Sequence, residues 1–420
     1  MTESNNIPKH WQVKKLGEVF IIERGGSPRP IEEYITTKED GINWIKIGDT
    51  KGITKYITST KEKIKADGVK RSRMVFIDDF ILSNSMSFGR PYIMKTTGCI
   101  HDGWLVIRKN ETIDNNYLYF ILNSNSLYQQ FSNLAKGSTV KNLNIEAVKQ
   151  AIITYPPLPE QLTIVSKIEE LFSELDNGIA LLKTAQQQLK VYRQSLLKWA
   201  FEGKLTSKNV KEGQLPLGWK WVKLKEVASD ISDGDHQPPP KSERGVPFIT
   251  ISNVNKTTSK IDFSDTFMVN KNYFQNLKGN RKPKIGDILY TVTGSFGIPV
   301  LIDFEKDFCF QRHIGLIRPL PETNQKWVYY LLQSPQVFGQ AKETATGTAQ
   351  KTVALSSLRN FNIPLCSHND QQLIVTELES KLTVCDKIEE TISQSLQQAE
   401  TLRQSVLKKA FEGKLVKTKP

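Results

Sequence analysis

Two stretches of this sequence decide its architecture: RQSLLKWAFEGKL at residues 193–205 and RQSVLKKAFEGKL at residues 403–415. Eleven of the thirteen positions are identical, and the two stretches are offset by 210 residues. Repetition at a fixed offset is the signature of duplicated structural units. The sequence therefore predicts two copies of one scaffold, each attached to a module that has diverged.

The length and composition of the chain limit the class of protein. A chain of 420 residues is too long for one ordinary core, so we expect two or three domains. Its polar start, MTESNNIPKHW, and the lack of any bilayer-length apolar run predict a soluble cytoplasmic protein that does not bind a membrane. The cysteines are isolated, which favours buried thiols over zinc ligands or disulfides. They are Cys99, Cys309, Cys366 and Cys385.

The distribution of charge indicates the kind of partner. The formal net charge is +13. Residues 159–205 contain six Lys/Arg and six Asp/Glu, and residues 369–415 contain six and eight, so their net charges are 0 and −2. The rest of the chain therefore carries 13 − 0 + 2 = +15. A basic excess confined to the modules favours nucleic acid as the partner.

The two modules share a series of matched segments. Each has an opening with a tryptophan, a strand followed by a Ser-Phe-Gly turn, and a short aromatic helix. We expect each module to be α+β with a twisted, mostly antiparallel sheet. The matched pairs are residues 10–19 with 218–227, residues 78–91 with 286–299, and residues 115–124 with 325–334.

Heptad spacing predicts two long helices. Apolar residues recur every seven positions, with complementary positions filled in between, which is the a/d seam of a coiled coil. The alternative is a pair of helices in an ordinary bundle core. Gly203 and Gly413 stand where a helix would end. The first seam has Ile168, Leu175, Leu182, Leu189 and Leu196, and the second has Leu378, Cys385, Ile392, Ala399 and Val406.

The chain order then predicts the arrangement of the parts. We expect target-facing modules at residues 1–155 and 207–364, and helical spacers at residues 156–206 and 365–416. If the second helix packs on the first, it must run back along it, so the pair is antiparallel with a pseudo-twofold axis. DNA-binding dimers use the same symmetry to recognise two half-sites. Because the two modules differ, we expect the two half-sites to differ.

Catalytic and metal-binding motifs are lacking. The sequence has no GxxxxGK[ST] loop, no HExxH and no dinucleotide fingerprint after a strand. Glu202 and Lys204 fit the E-x-K fragment of a nuclease site. However, the fragment recurs at residues 412–414, which favours a duplicated helix terminus. His101 and His313 are interpreted as local polar groups. We therefore predict neither a catalytic site nor a metal site.

Candidate DNA contacts come from basic runs and from two glycine-polar loops. Basic runs supply phosphate contacts, although a solvated loop is the alternative for any single member. Loops that combine a flexible backbone, short donors and one cation suit a groove edge, although an ordinary turn is the alternative. The predicted contacts are Lys70, Arg71, Arg73, Gly137, Ser138, Thr139 and Lys141 in module 1, and Arg281, Lys282, Gly347, Thr348, Gln350 and Lys351 in module 2.

Together, the module openings, the strand-turn elements, the glycine-polar loops and the twin helices ending in AFEGKL resemble the specificity (S) subunit of type I restriction-modification enzymes. The resemblance covers nearly the whole chain. It implies two target-recognition domains that recognise a bipartite, asymmetric DNA sequence with a non-specific gap. One departure is Asp78-Asp79, where module 2 has the more typical Gly286-Asp287.

The resemblance also implies partners. These are two methyltransferase subunits and, optionally, two ATP-dependent translocase-nuclease subunits, which would hold S-adenosylmethionine, ATP and magnesium. Polar residues in the seam are costly unless something satisfies them, so we expect partner helices to contact Gln186, Arg193, Glu389 and Arg403. The alternatives are a stand-alone DNA-binding regulator or architectural protein, and a nuclease acting through Glu202 and Lys204.

Overall fold

The computed structural model describes residues 7–84, 88–109, 113–134, 143–207, 210–211, 213–237 and 239–416. The chain divides into two compact units, Met1–Leu182 with Gln394–Pro420 and Lys183–Ser393. Each unit therefore combines one module with the adjoining parts of both long helices.

Module 1 is built mainly from two five-stranded sheets, in the orders β3-β6-β4-β10-β7 and β2-β11-β8-β9-β5, and β1 pairs with β12. Neighbouring strands are antiparallel except β4 with β10 and β5 with β9. The strands are β1 Gln12–Lys15, β2 Phe20–Arg24, β3 Ile35–Thr36, β4 Ile42–Ile45, β5 Tyr56–Ile57, β6 Glu62–Ile64, β7 Arg73–Val75, β8 Phe80–Ser83, β9 Pro91–Met94, β10 Gly98–Ile100, β11 Trp104–Lys109 and β12 Ile152–Tyr155. The helices are α1 Leu16–Val19, α2 Asn115–Leu122, α3 Asn125–Leu134 and α4 Ile145–Gln150, followed by the long α5 Leu158–Phe201.

Module 2 repeats this plan. Its sheets have the orders β14-β23-β20-β21 and β15-β19-β16-β22, with the pairs β13-β24 and β17-β18. Only β16 and β22 are parallel among the described strand pairs of this module. The strands are β13 Lys220–Lys223, β14 Ala228–Asp233, β15 Lys241–Ser242, β16 Val246–Ile249, β17 Val254–Asn255, β18 Lys260–Ile261, β19 Phe267–Val269, β20 Ile288–Thr291, β21 Pro299–Leu301, β22 Cys309–Phe310, β23 Ile314–Pro319 and β24 Asn362–Leu365. The helices are α6 Lys271–Asn276, α7 Gln325–Gln333, α8 Pro335–Thr344 and α9 Leu355–Arg359, followed by α10 His368–Phe411.

The predicted α+β class and the predominance of antiparallel strands are confirmed. The strands of each module are divided between two larger sheets and a pair made by its first and last strands, and module 2 has the further pair β17-β18. The expectation of a single sheet in each module is therefore wrong. Alternation of apolar residues identifies strands, but it does not say which sheet each strand joins.

The turn at which the two modules differ in sequence has the same conformation in both. Asp78 has φ 70° and Gly286 has φ 89°. Aspartate is one of the few residues other than glycine that tolerate this left-handed region. The next residue forms an ion pair in each module, Asp79 with Arg108 at 3.1 Å and Asp287 with Arg318 at 2.7 Å. The substitution therefore leaves the turn geometry unchanged.

The two long helices, α5 and α10, each contain 44 residues and are about 66 Å long at 1.5 Å per residue. Both end as the sequence predicts. Gly203 has φ 77° and Gly413 has φ 69°. Residue 204 donates its N–H to the carbonyl of Trp199, and residue 414 donates to that of Lys409. These contacts are those of a Schellman C-terminal cap.

In unit 1 the end of α10 lies on module 1. The Phe411 ring packs edge-on against Tyr117 at 5.4 Å, and its carbonyl accepts from the Thr154 hydroxyl just before α5 begins. Further back along α10, Arg403 pairs with Asp176, further forward along α5. The two helical segments of this unit are therefore antiparallel.

In unit 2 the end of α5 lies on module 2. The Phe201 ring packs against Trp327 at 5.9 Å, next to Lys326, which pairs with Glu379 near the start of α10. Further back along α5, Arg193 contacts α10 beyond Glu379. The segments are antiparallel here as well. The contact of Phe201 with Trp327 repeats that of Phe411 with Tyr117 at the offset of 210 residues.

The predicted seam is tightly buried at some heptad positions and open at others. Ile168 and Leu378 are fully buried, and Leu189 and Leu196 are nearly so. Leu175, by contrast, is only half-buried. The four cysteines are free and buried, as predicted. No helix in the described part of the chain is long and apolar enough to cross a membrane.

Each aromatic contact at a helix end should stabilise its own unit, and the two should do so to different extents. Phe201→Ala should destabilise unit 2 by about 3–5 kcal/mol, because it removes a fully buried ring from the core. Phe411→Ala should cost less, since this ring is 8% exposed. Denaturant unfolding of each variant measures the loss, with Leu181→Ala at a 71% exposed helix position as the control. A loss for Phe201→Ala no larger than the control's would contradict this ranking.

Candidate nucleic-acid interface

Three loops of module 2 meet beyond one end of the sheet β14-β23-β20-β21. The loop of residues 346–352 closes on itself, because Thr346 and Thr352 exchange backbone hydrogen bonds of 3.0 and 2.7 Å. The Gly294 N–H donates to the Lys351 carbonyl at 2.9 Å, which attaches this loop to the turn after β20. We call this surface the module-2 edge: residues 293–295, 311–313 and 346–352, with Asp235.

Backbone hydrogen bonds hold the module-2 edge to the sheet. The Val353 N–H donates to the Val292 carbonyl at 2.8 Å, and the Val292 N–H donates to the His313 carbonyl at 2.9 Å. The Arg312 N–H donates to the Asp235 carbonyl at 3.0 Å. Sequence analysis treated the glycine-polar loop and the Ser-Phe-Gly turn separately, and the structure brings them together.

The side chains of this edge are available to a ligand. Residues 346–351 are all exposed, and Gly347 has φ 109°, which favours glycine. Lys351 and Arg312 are exposed and have no ion-pair partner among the described residues. Burial and, to a smaller extent, the neighbouring Arg312 lower the pKa of His313 below its ordinary value, which favours the neutral ring. The edge therefore presents cations, amide and hydroxyl groups on a fixed backbone, which suits phosphate and base contacts.

The predicted contacts of the other basic run in module 2 are already engaged within the chain. Arg281 pairs with Asp235 at 2.8 Å and with Asp233 at 3.4 Å. Lys282 donates to the Gln275 carbonyl at 2.7 Å. Arg281 thus anchors the loop that carries Asp235, beside the edge. A DNA contact by Arg281 or Lys282 stays a prediction.

Module 1 has a corresponding edge. The Leu143 N–H donates to the Asn84 carbonyl at 2.8 Å, and the Asn84 N–H donates to the Gly103 carbonyl at 3.0 Å. These bonds match those of Val353, Val292 and His313 in module 2. The predicted contacts Gly137, Ser138, Thr139 and Lys141 lie outside the described residues, in the segment that precedes Leu143.

Asp102 organises the module-1 edge. Its carboxylate accepts from the Ser27 hydroxyl at 2.8 Å and lies 3.7 Å from the Arg29 guanidinium, while Arg24 donates to its carbonyl at 3.0 Å. The Ser27 hydrogen bond is the main reason that the pKa of Asp102 is below its ordinary value. A fixed carboxylate is an acceptor, and in the major groove it suits the amino group of cytosine.

His101 lies beside Asp102 between two tryptophan rings, Trp44 at 6.2 Å and Trp104 at 6.4 Å. Burial lowers the pKa of His101 below its ordinary value of 6.5, although the neighbouring Asp102 opposes this shift. The Gly103 N–H points at its Nδ1 at 2.7 Å. The ring is therefore a neutral acceptor that shapes the loop.

The basic run of module 1 is partly engaged. Arg73 pairs with Glu23 at 3.2 Å. The Arg71 guanidinium donates to the Arg29 carbonyl at 3.4 Å and lies 5.7 Å from the Tyr34 ring. Lys70 is exposed and has no ion-pair partner in the described part of the chain. Of the three predicted contacts, Lys70 is thus the one whose charge is most available.

Three of the four polar seam residues find partners inside their own unit. In unit 2, Arg193 pairs with Asp386 at 2.6 Å and with Glu389 at 3.0 Å. In unit 1, Arg403 pairs with Asp176, and its guanidinium lies 4.4 Å from the Phe172 ring. The argument that these charges need a partner subunit therefore fails. Contact of a partner with Gln186, Arg193, Glu389 or Arg403 stays a prediction.

The E-x-K fragment forms local ion pairs at both helix ends. Lys204 lies 2.6 Å from Glu202, and Lys414 lies 2.7 Å from Glu412. No group of three or more His, Cys, Asp or Glu side chains that could hold a metal ion occurs among the residues that the structure describes. The repeated pair supports the interpretation as a duplicated helix terminus.

Sequence reasoning missed the loop that follows β2 in module 1 and its equivalent after β14 in module 2. This loop supplies Ser27 and Arg29 in module 1 and Asp235 in module 2. A signal was present, because GGSPRP at residues 25–30 and DGDHQPPP at residues 233–240 are both glycine- and proline-rich segments at matching positions. Arg312, which is not among the predicted contacts, also belongs to the module-2 edge.

Duplicated α+β modules with polar edges, carried on a pair of long helices, define the class: a two-module DNA-recognition chain. Comparison with known proteins agrees. The family described as Type I restriction modification DNA specificity domain matches residues 8–191 and again residues 216–398. The chain therefore belongs to this family, and the family resemblance inferred from the sequence is confirmed.

Individual relatives cover different shares of the chain. The EcoBI specificity subunit of Escherichia coli is 27% identical over 296 residues, which is 66% of this chain and 61% of that subunit. The EcoKI specificity subunit of Escherichia coli K12 is 22% identical over 430 residues, or 98% of this chain and 90% of that subunit. A solved chain of a type I restriction-modification system has a TM-score of 0.72 at 22% identity and covers 97% of this chain and 99% of its own. The family match to a DNA specificity domain favours this role over a stand-alone regulator, and the solved chain supports the fold.

Lys351 should contribute one phosphate contact to DNA binding. Lys351→Ala should lower the affinity for target DNA by about threefold to tenfold and reduce the slope of log K against log salt by about 1. Binding to a labelled duplex at several salt concentrations measures both. Lys387→Ala removes an exposed charge from α10 of the same unit and is the control. An unchanged salt slope in the Lys351 variant would exclude a phosphate contact.

Proposed function

We propose that this chain is the DNA specificity subunit of a type I restriction-modification complex, and that each module recognises one half of a bipartite, asymmetric DNA target. The observation that carries this proposal is the duplication. The scaffold contacts repeat at a fixed offset, whereas the polar edges do not.

The chemistry of the two edges supports different half-sites. In module 2, Lys351 and Arg312 are exposed cations, and Gln350 is an exposed amide. In module 1, the Asp102 carboxylate is held by Ser27 beside the neutral His101 ring. Arginine and lysine suit the acceptors of guanine, glutamine suits adenine, and a carboxylate suits the amino group of cytosine. The two edges therefore favour different bases.

The chemistry on DNA is proposed to belong to partner subunits. These are two methyltransferase subunits that use S-adenosylmethionine and, optionally, two translocase-nuclease subunits that use ATP and magnesium. The described residues of this chain offer no cluster that fits a metal. In each E-x-K fragment the glutamate and the lysine form an ion pair with each other. In this proposal the chain positions the partner subunits on cellular DNA in the cytoplasm, and the partner subunits carry out the reactions.

The helices are the proposed docking surface for the methyltransferase. In unit 1, a cavity of about 980 Å³ opens between α5 and α10. Apolar Leu175, Leu182 and Ala399 line it together with small Gly178 and Ser395. Small side chains let another helix approach closely, and apolar ones supply buried area. This groove fits a helix that would complete the bundle.

Exposed apolar residues on the helices support the same surface. Large apolar side chains in water mark interaction sites when they are grouped. Tyr192 is 43% exposed, and Leu402, its counterpart at the offset of 210, is 51% exposed. Sequence analysis chose the charged seam positions instead, because a heptad pattern identifies what packs inward and not what a partner covers. The other large exposed apolar residues on α5 and α10 are Leu158, Leu162, Leu181, Val191, Trp199, Leu373, Val384 and Ile388.

Exchange of one module tests the proposed function. Residues 1–155 are replaced by the corresponding module of another specificity subunit, and the chain is co-expressed with its methyltransferase. One half of the methylated motif should change and the other half should be retained, because each edge is held within its own module. Genome-wide mapping of methylated bases measures the outcome. The reciprocal exchange of residues 207–364 is the control, and a change in both halves from either exchange would contradict independent recognition.

A substitution in the helical groove tests docking. Leu402→Asp should reduce co-purification of the methyltransferase about tenfold or more, because it places a charge where an apolar helix face would pack. Lys409→Asp introduces the same side chain at an exposed position of α10 and is the control.

Arg403→Glu separates docking from stability. This variant should cost roughly 1 kcal/mol of unfolding free energy by repelling Asp176, an exposed partner, and by losing the Phe172 contact. Adding Asp176→Arg should restore the pair. For the docking test itself, full co-purification of the methyltransferase with the Leu402→Asp variant would rule out this groove as the docking surface.

A further inference from the structure

The outer face of α7 in module 2 contains a cavity that the proposed function does not use. Its volume is about 440 Å³, enough for one or two side chains. The Tyr329 and Tyr330 rings, 5.1 Å apart, lie on one side, and Phe263 and Phe304, 5.8 Å apart, lie on another. Lys260, Asp303, Lys326 and Glu379 also line it.

Module 1 contains the counterpart of this site and fills it with a lysine of its own. With the offset of 210 that aligns α2 with α7, Tyr119 corresponds to Tyr329 and Phe120 corresponds to Tyr330. In module 1 the Lys55 ammonium lies 5.0 Å from the Tyr119 ring and 5.5 Å from the Phe120 ring.

Two further contacts complete the site around Lys55. The ammonium is 5.1 Å from the Tyr56 ring, and it donates to the Asn116 side-chain oxygen at 2.8 Å. A cation within about 6 Å of an aromatic ring centre is attracted by the negative face of the ring. The aromatic side chains of this site therefore form a cation site, and in module 1 the cation is internal.

Module 2 retains the aromatic pair on α7 but lacks an internal cation over these two rings. Among the described residues, no lysine or arginine lies over Tyr329 or Tyr330. The cations nearby are engaged elsewhere: Lys326 pairs with Glu379 at 2.8 Å, and Lys306 lies 3.8 Å from the Phe263 ring. Lys260 lines the cavity and is exposed.

The charge at the rim is also reversed between the modules. Strands β9 and β21 align at an offset of 208, so Lys95 of module 1 corresponds to Asp303 of module 2. Lys95 adds a second cation, 5.3 Å from the Tyr56 ring and paired with Asp78 at 2.7 Å. Asp303 instead brings an exposed carboxylate, with no ion-pair partner in the described part of the chain, to the rim of the cavity. The site has thus exchanged an internal cation for an acceptor.

We infer that this cavity binds an arginine or lysine side chain presented by a partner protein, with the cation over Tyr329 and Tyr330 and its charge facing Asp303. The inference does not rest on the proposed function, since it follows from comparison of the two modules. A protein side chain fits because the site filled by Lys55 in module 1 is the size and chemistry of one side chain. Glu379 on α10 forms part of the same cavity, which makes it continuous with the helix surface.

The test uses the full chain and defined peptides. The probe is acetyl-Gly-Arg-Gly-amide, and the matched control is the peptide with citrulline, which has nearly the same shape without the charge. Ligand-observed NMR should show that the arginine peptide binds and that the citrulline peptide binds at least about tenfold more weakly. Asp303→Lys, which copies module 1, should lower the affinity for the arginine peptide about tenfold or more.

Module 1 supplies the converse experiment. Lys55→Ala with Lys95→Asp should open the counterpart site and give it the rim carboxylate of module 2, so the chain that combines both changes with Asp303→Lys should regain binding of a cationic peptide. Circular dichroism checks that each variant is folded, and Asp303→Asn is a second, milder variant at the exposed position. Equal binding of the arginine and citrulline peptides, binding unchanged by Asp303→Lys, or no binding up to about 10 mM peptide would each overturn the inference.

Discussion

The structure depends on one kind of contact, made twice: the ring at the end of each long helix inserts into a module. Phe201 packs on Trp327, and Phe411 packs on Tyr117. A 44-residue helix is not fixed by propensity alone, because most helical stability in proteins comes from packing. The Schellman caps after these rings stop each helix at the point of insertion. Each unit is therefore closed by a helix end, and in unit 1 that end comes from the far end of the sequence.

The ion pairs between the two helices act together with these helix-end contacts. Arg193 with Asp386 and Arg403 with Asp176 are equivalent pairs, related by the offset of 210. Each joins α5 to α10 in an exposed seam, where an ion pair contributes little stability but disfavours other alignments of the helices. Their main effect is to set the register that brings the helix end to its module. The groove in unit 1 lies beside this fixed register.

The sequence predicts most of the scaffold and less of the candidate site. Repetition and heptad spacing identify α5, α10 and their glycine stops, because these depend on local pattern. The division of strands among sheets does not, since it depends on pairing between distant segments. For the site, composition predicts DNA contacts at Lys351, Arg281 and Arg73 alike, whereas the structure shows that Asp235 and Glu23 pair with the last two. A basic side chain in a sequence carries no sign of whether a carboxylate will fold next to it.

Duplication separates what the scaffold requires from what each module has been free to change. Where a contact closes a unit, the two copies keep it even through substitution, as with Trp327 and Tyr117 against the two helix-end rings. Where a side chain faces solvent, the copies diverge in charge, as with Lys95 and Asp303. This divergence in charge includes the loss of an internal pair, because Lys95 pairs with Asp78 in module 1 and Gly286 takes the place of Asp78 in module 2. It is the pattern expected when one stable frame presents two different surfaces to two different ligands.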